Sequence, residues 1–137
     1  ICGTLKKKMD IENFLAAISS SLGLGSFRWT TPKSGNNASN ISRVAVVWGS
    51  ANSLADSLMA LDCQAVLVGE IGYHHALDLA AAGKTVIEIG HGCSEQWAME
   101  DMYRRLVDYF NQEKVDIKVD KSKMGYMAWR YYSGKQF

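Results

Sequence analysis

Three short apolar runs separated by helical patterns constrain the fold more than any other feature of this chain. They are centred on VAVVW (Val44 to Trp48), AVLVG (Ala65 to Gly69) and TVIEI (Thr85 to Ile89). The first two are continuously apolar, as a strand covered on both faces must be. The strands they predict run from Ile41 to Trp48, Ala65 to Gly69 and Thr85 to Ile89. Helical spacing fills the intervals. Ser53 to Leu61 places Leu54, Leu58 and Leu61 on one side, and Tyr73 to Ala82 is stopped by Gly83. The longest helix, Ser94 to Asn111, has Ser94 as a cap and a broad apolar face of Met99, Met102, Tyr103, Leu106, Val107 and Phe110. A leading helix, Asp10 to Leu22, is capped by Asp10 and ended by the glycines at 23 and 25. Phe27 to Thr31 reads as extended, TPKSGNNASN as a loop, and Val115 to Val119 as an edge strand. The resulting order, β-α-β-α-β-α-β behind one helix, predicts an α/β sheet covered by helices.

A chain of 137 residues suffices for one domain with a sizeable core. Its net charge of +1 indicates no dominant attraction to nucleic acid. The Lys6-Lys7-Lys8 run reads as a solvated surface, and the four tryptophans do not alternate with basic residues as a nucleic-acid platform requires. No apolar run is long enough to span a membrane. The three cysteines, Cys2, Cys63 and Cys93, do not make a disulfide framework; they fit a reducing compartment, so a cytoplasmic location is expected. The aromatic stretch MGYMAWRYYSGKQF is compatible with a strand or a tail packed on a partner.

Ligands of α/β sheets bind beyond the carboxyl ends of the strands. Three such ends here carry glycine-rich or polar segments: WGSANS, GEIGYHH and GHGCSE. All three histidines, His74, His75 and His91, fall in the last two. His91 and Glu95 are four apart at a helix start, where imidazole and carboxylate can converge on one cation. Alternatively, Glu95 favours the helix dipole and His91 bonds the loop. Cys93 lies between them and is either a thiolate ligand or a small apolar residue. Asp78 is placed to hold the imidazole of His74 or His75. Glu70 at a strand end suits a ligand, a base or a cap for Gly72 and Tyr73. WGSANS resembles an anion nest of backbone N–H groups. The chain has no P-loop, dinucleotide fingerprint, Cys-x-x-Cys pair or Gly-x-Ser-x-Gly elbow.

The order VAVVWGSA, AVLVGEIGYHHALDLAAAG, VIEIGHGCSE resembles the carboxyl-terminal half of the NIF3-like family, often described as type 2 homologues of GTP cyclohydrolase 1. The resemblance runs over Ile1 to Val119 and is densest from Ile41 to Glu95. It implies one lobe of a two-lobe α/β fold, each lobe built around a mixed sheet, with a pair of divalent metal ions in the cleft. It also implies homo-oligomers, in several members hexameric rings. The histidine and glutamate of the family's Gly-His-x-x-x-Glu segment fall on His91 and Glu95 as metal ligands. His74 takes the place of a recurrent histidine near the metals. Glu70 replaces a common aspartate, and His75 stands where aspartate is usual. His74 and Glu70 are therefore the candidates for proton transfer or water positioning, around ions expected to be zinc, manganese or iron. The family's amino-terminal ligands have no counterpart before His91. The chain is accordingly expected to be one lobe of a longer polypeptide, with residues 120–137 an extension. The full-length protein is expected to be a metal-dependent, hydrolase-like enzyme. Its rivals are a metal-containing interaction or regulatory protein with a protein partner, and an isolated lobe without activity.

Overall fold

The computed structural model describes residues 1–32 and 40–122. Most of TPKSGNNASN and all of the aromatic stretch from Met124 lie outside the described residues.

Among the described residues, one five-stranded sheet carries the fold. Its strands are β1 (Cys2–Met9), β2 (Arg28–Trp29), β3 (Ile41–Ser50), β4 (Ala65–Glu70) and β5 (Thr85–Glu88), in the spatial order β1-β3-β4-β5-β2. The three apolar runs are the three central strands, and they pair in parallel, with Val46 opposite Leu67 and Leu67 opposite Ile87. The two edges are antiparallel, β1 on β3 and β2 on β5, so the sheet is mixed. Strand β1 was not expected. Its lysines Lys6, Lys7 and Lys8 are exposed along an edge, where charge discourages pairing with another chain.

The helices follow the predicted order: α1 (Ile11–Leu22), α2 (Ala55–Ala60) behind a 3-10 turn at Asn52–Leu54, α3 (Tyr73–Ala81) and α4 (His91–Gln112). Asp10 caps α1 through Oδ1, which accepts from Asn13 N–H at 2.8 Å. One sheet face packs Val66, Val68 and Val86 against Leu58 of α2 and Leu79 of α3. Leu67, Ile87 and Ile89 pack on the other, against Phe14 and Ile18 of α1. Alternation of side chains along each strand is what serves both layers.

Two expectations fail. Val115 to Val119 joins no strand among the described residues. The chain instead leaves α4 through Lys114 at φ 56°, with Val115 N–H returning to Phe110 C=O at 3.0 Å, a Schellman ending. Ser94 is not the cap of α4, which begins three residues earlier at His91 behind Gly90.

Within the core, Thr85 is fully buried, and its hydroxyl has no hydrogen-bond partner among the described residues. Thr85→Val exchanges that desolvated hydroxyl for a methyl of similar shape. It is expected to stabilise the chain by about 1 kcal/mol in urea unfolding. A loss of stability would show that the hydroxyl is satisfied.

Candidate functional site

The site is built where β3, β4 and the start of α4 meet. Pairing of β3 with β4 is regular as far as Val47–Val68 and resumes at Ser50–Glu70. Three residues are thus spanned on β3 against two on β4, and the extra length is absorbed at Gly49, whose φ is +65°. This bulge interrupts the ladder one pair before its end and leaves Glu70 projecting from the end of β4.

Glu70, His91 and Glu95 come together there. His91 Nδ1 lies 3.2 Å from Glu70 Oε1, and His91 Nε2 lies 3.1 Å from Glu95 Oε1. The imidazole is thereby held between two carboxylates. All three side chains are partly exposed, with between two-fifths and three-fifths of their surface in contact with solvent. The hydrogen bond that Glu70 accepts from His91 raises the His91 pKa above its ordinary 6.5; desolvation opposes it, and the field of Glu95 adds to the rise.

The sign of that shift gives a pH dependence. A folded-state pKa above the unfolded one means that protonated His91 favours the fold. The contribution is complete below about pH 6.5 and disappears as pH rises through the raised value. Metal binding needs the neutral ring and is favoured in the opposite direction. An NMR titration should place the His91 midpoint above 6.5, and Glu70→Gln should lower it more than Glu95→Gln does. The reverse ranking would mean that Glu95 holds the proton.

The side chains of the other sequence candidates make no hydrogen bond or ion pair with those of this triad among the described residues. His74 is exposed on the first turn of α3, where its ring meets Tyr73 edge-on at 5.6 Å between centroids. No hydrogen bond joins Asp78 to His74 or His75 among the described residues. The side chain of Cys93 lies by Gly90, with Sγ 3.8 Å from the point a Cβ there would occupy. Glu70 does not cap α3. Gly72 N–H donates instead to Asn52 Oδ1 at 2.7 Å, and Ile71 N–H to Glu88 Oε2 at 3.3 Å. Nor does WGSANS form an open nest: Gly49 N–H is taken by Ser94 Oγ and Ala51 N–H by Glu70 C=O.

Sequence reasoning missed three contributors, Gly49, Ser94 and Glu88. The signal for Glu88 was available, since it is a carboxylate inside an apolar strand; it also pairs with Arg28 at 2.8 Å. Arg28 and Glu88 border a cavity of about 230 Å³ with Thr30, Ile71, Tyr73 and Val86, on the side of the sheet covered by α3.

Among the described residues, no three His, Cys, Asp or Glu side chains converge as they would on a metal ion. The reason is the imidazole itself, whose two nitrogens point to different carboxylates. What the geometry does provide is one nitrogen and one carboxylate oxygen side by side, at His91 Nε2 and Glu95. They face Gly49, where a Cβ would stand 3.1 Å from Glu95 Oε1 and 3.5 Å from His91 Nε2. The missing side chain keeps that side open.

The model of the family Duf34/NIF3 (NGG1p interacting factor 3) matches residues 1–125. The chain belongs to the Duf34/NIF3 family. A Staphylococcus aureus (strain MRSA252) relative named GTP cyclohydrolase 1 type 2 homolog is 28% identical over 131 residues, which is 96% of this chain and 34% of that protein. A Staphylococcus aureus crystal structure superposes with a TM-score of 0.79 at 26% identity, over 96% of this chain and 36% of that one. A Bacillus cereus protein related to NIF3 shares the fold at a TM-score of 0.82 and 18% identity, over 96% of this chain and 35% of its own. The chain thus spans about a third of the length of the Duf34/NIF3 relatives it matches. No helix among the described residues is long and apolar enough to cross a membrane.

Proposed function

We propose that this chain supplies part of a divalent-metal site, with His91 through Nε2 and Glu95 as ligands and Glu70 as the carboxylate that orients His91. The observation that carries the proposal is the imidazole held between Glu70 and Glu95 at 3.2 and 3.1 Å. A metal-binding histidine commonly donates its second ring N–H to a carboxylate, which fixes the tautomer and strengthens the ligand. Glu70 at Nδ1 is placed for that role, leaving Nε2 beside Glu95. Two donors do not complete a coordination shell, so further ligands come from elsewhere in a longer polypeptide, of which this chain is the carboxyl-terminal lobe. Homo-oligomerisation, as a hexamer, belongs to the same proposal.

Zinc, manganese and iron all suit a nitrogen-oxygen donor pair. Such an ion would polarise a substrate oxygen or acidify a bound water. The full-length protein is accordingly proposed to be hydrolase-like, with Glu70, and His74 from the first turn of α3, as candidate proton carriers. The isolated lobe is proposed to be inactive. Calorimetry with Mn2+ or Zn2+ should show weak binding by this chain, tighter binding by the full-length protein, and neither after His91→Ala with Glu95→Ala. Undiminished binding by the double variant would overturn the assignment.

A second reading, a metal-containing interaction protein, is favoured by α4. Its side chains Met99, Met102, Leu106 and Tyr109 recur at helical spacing and are all exposed. Turnover by full-length protein that is lost in the double variant would decide for the enzyme.

A further inference from the structure

Beside the triad lies a group that neither binds nor orients through its own contact with the imidazole. Ser94 is fully buried. Its Oγ accepts Gly49 N–H at 2.9 Å and donates to His91 C=O at 2.7 Å. The hydroxyl therefore joins the bulge of β3 to the residue that opens α4. Gly69 makes room for it, since a Cβ at Gly69 would stand 2.4 Å from Ser94 Oγ.

The consequence is directional. Ser94 N–H makes its own helical bond to Gly90 C=O at 3.0 Å, and that bond does not need the side chain. Removing the hydroxyl leaves α4 helical but cuts the hydrogen-bonded tie to β3. Ser94 is three residues beyond His91 and adjacent to Glu95, so both donors move with the turn that this tie holds. Gly49, at the other end of the tie, is also the residue whose bare Cα faces Glu95 Oε1 and His91 Nε2. One hydroxyl thus sets the distance between the donor pair and the wall opposite it.

We propose that Ser94 is a positioning residue, which indexes His91 and Glu95 to the end of β3 through Gly49 N–H and His91 C=O. The proposal deepens the metal-site reading and rests on it for its functional meaning, but its structural content is testable without metal.

The test uses the 137-residue chain with Ser94→Ala and two measurements. The first is imidazole 15N NMR of the metal-free chain at a pH where His91 is neutral. Wild type should show one defined balance of tautomers, set by the contacts of Nδ1 with Glu70 and of Nε2 with Glu95, and Ser94→Ala should shift that balance. The second is a Co2+ titration followed by visible absorption, in which Ser94→Ala should raise Kd about tenfold. Ile18→Val, a core change remote from the site, should lower Tm and move neither measurement. If Ser94→Ala fails to fold, Ser94→Thr and Ser94→Val take its place, because they share the added carbon and differ in the hydroxyl. The threonine variant should keep the wild-type balance and the valine variant lose it. Tautomer and affinity both unchanged in the variants lacking the hydroxyl would overturn the proposal. A tautomer shift together with no Co2+ binding by the wild-type full-length protein would sustain the positioning role and sink the metal-site reading.

Discussion

Gly69→Ala is expected to destabilise the chain by about 3 kcal/mol, a large share of the stability of a small domain. An added Cβ would stand 2.4 Å from Gly49 C=O oxygen, 2.4 Å from Ser94 Oγ and 2.8 Å from Gly49 N. Two of these atoms are backbone and cannot rotate away. Relief would require β3 and β4 to separate where their pairing is already interrupted, or α4 to lift from both. Either movement breaks the hydrogen bond between Gly49 and Ser94 and disperses the His91 donor pair. Gly3→Ala is the control, because nothing lies within 4 Å of the corresponding point on edge strand β1. Urea unfolding of the two variants should separate them clearly. A Gly69→Ala midpoint within about 0.5 kcal/mol of wild type would show that the junction is looser than these distances imply.

This crowding shows which parts of the molecule were legible in the sequence. Short apolar runs found the three central strands, two of them continuous and the third carrying Thr85 and Glu88. Helical spacing found α1 and α3 to within a residue or two, and Asp10 marked the start of α1 correctly. Edge strands gave weaker signals. Strand β1 is nearly all exposed and carries three successive lysines, so its place depends on backbone pairing with β3 rather than on burial. Val115 to Val119 alternates as a half-buried strand should, yet Val115 N–H is turned back to Phe110 C=O by the ending of α4. The proximity of His91 to Glu95 was readable from four-residue spacing on a helix. That of Glu70 to His91 was not, since it depends on β4 and α4 meeting in three dimensions. The same holds for Ser94, whose role in the sequence looked like that of a helix cap. Its partner proved to be a glycine N–H on β3, 45 residues away.

Leu79→Ala is expected to cost about 3–4 kcal/mol and to lower Tm by roughly 10 °C. Leu79 is fully buried on α3, in the layer that packs Val66, Val68 and Val86 against Leu58. Truncation loses the transfer energy of the missing carbons. It also leaves a cavity that two parallel strands and a helix are too constrained to close. Leu106→Ala supplies the contrast. It removes the same atoms from α4, where Leu106 is 39% exposed, and should change stability by less than about 1 kcal/mol. Among the residues of α4 only Ser94 is buried, so this longest helix is anchored to the sheet at its first turn and contributes little core beyond it. Thermal and urea unfolding of the pair would measure that division directly. If Leu106→Ala cost as much as Leu79→Ala, the later turns of α4 would be packed in solution, and the apolar stripe of Met99, Met102, Leu106 and Tyr109 would already have its partner. If the costs differ as expected, the stripe is spare surface for this chain's own folding. The stability of the donor pair at His91 and Glu95 then rests on the first turn of α4 and the Ser94 tie to β3.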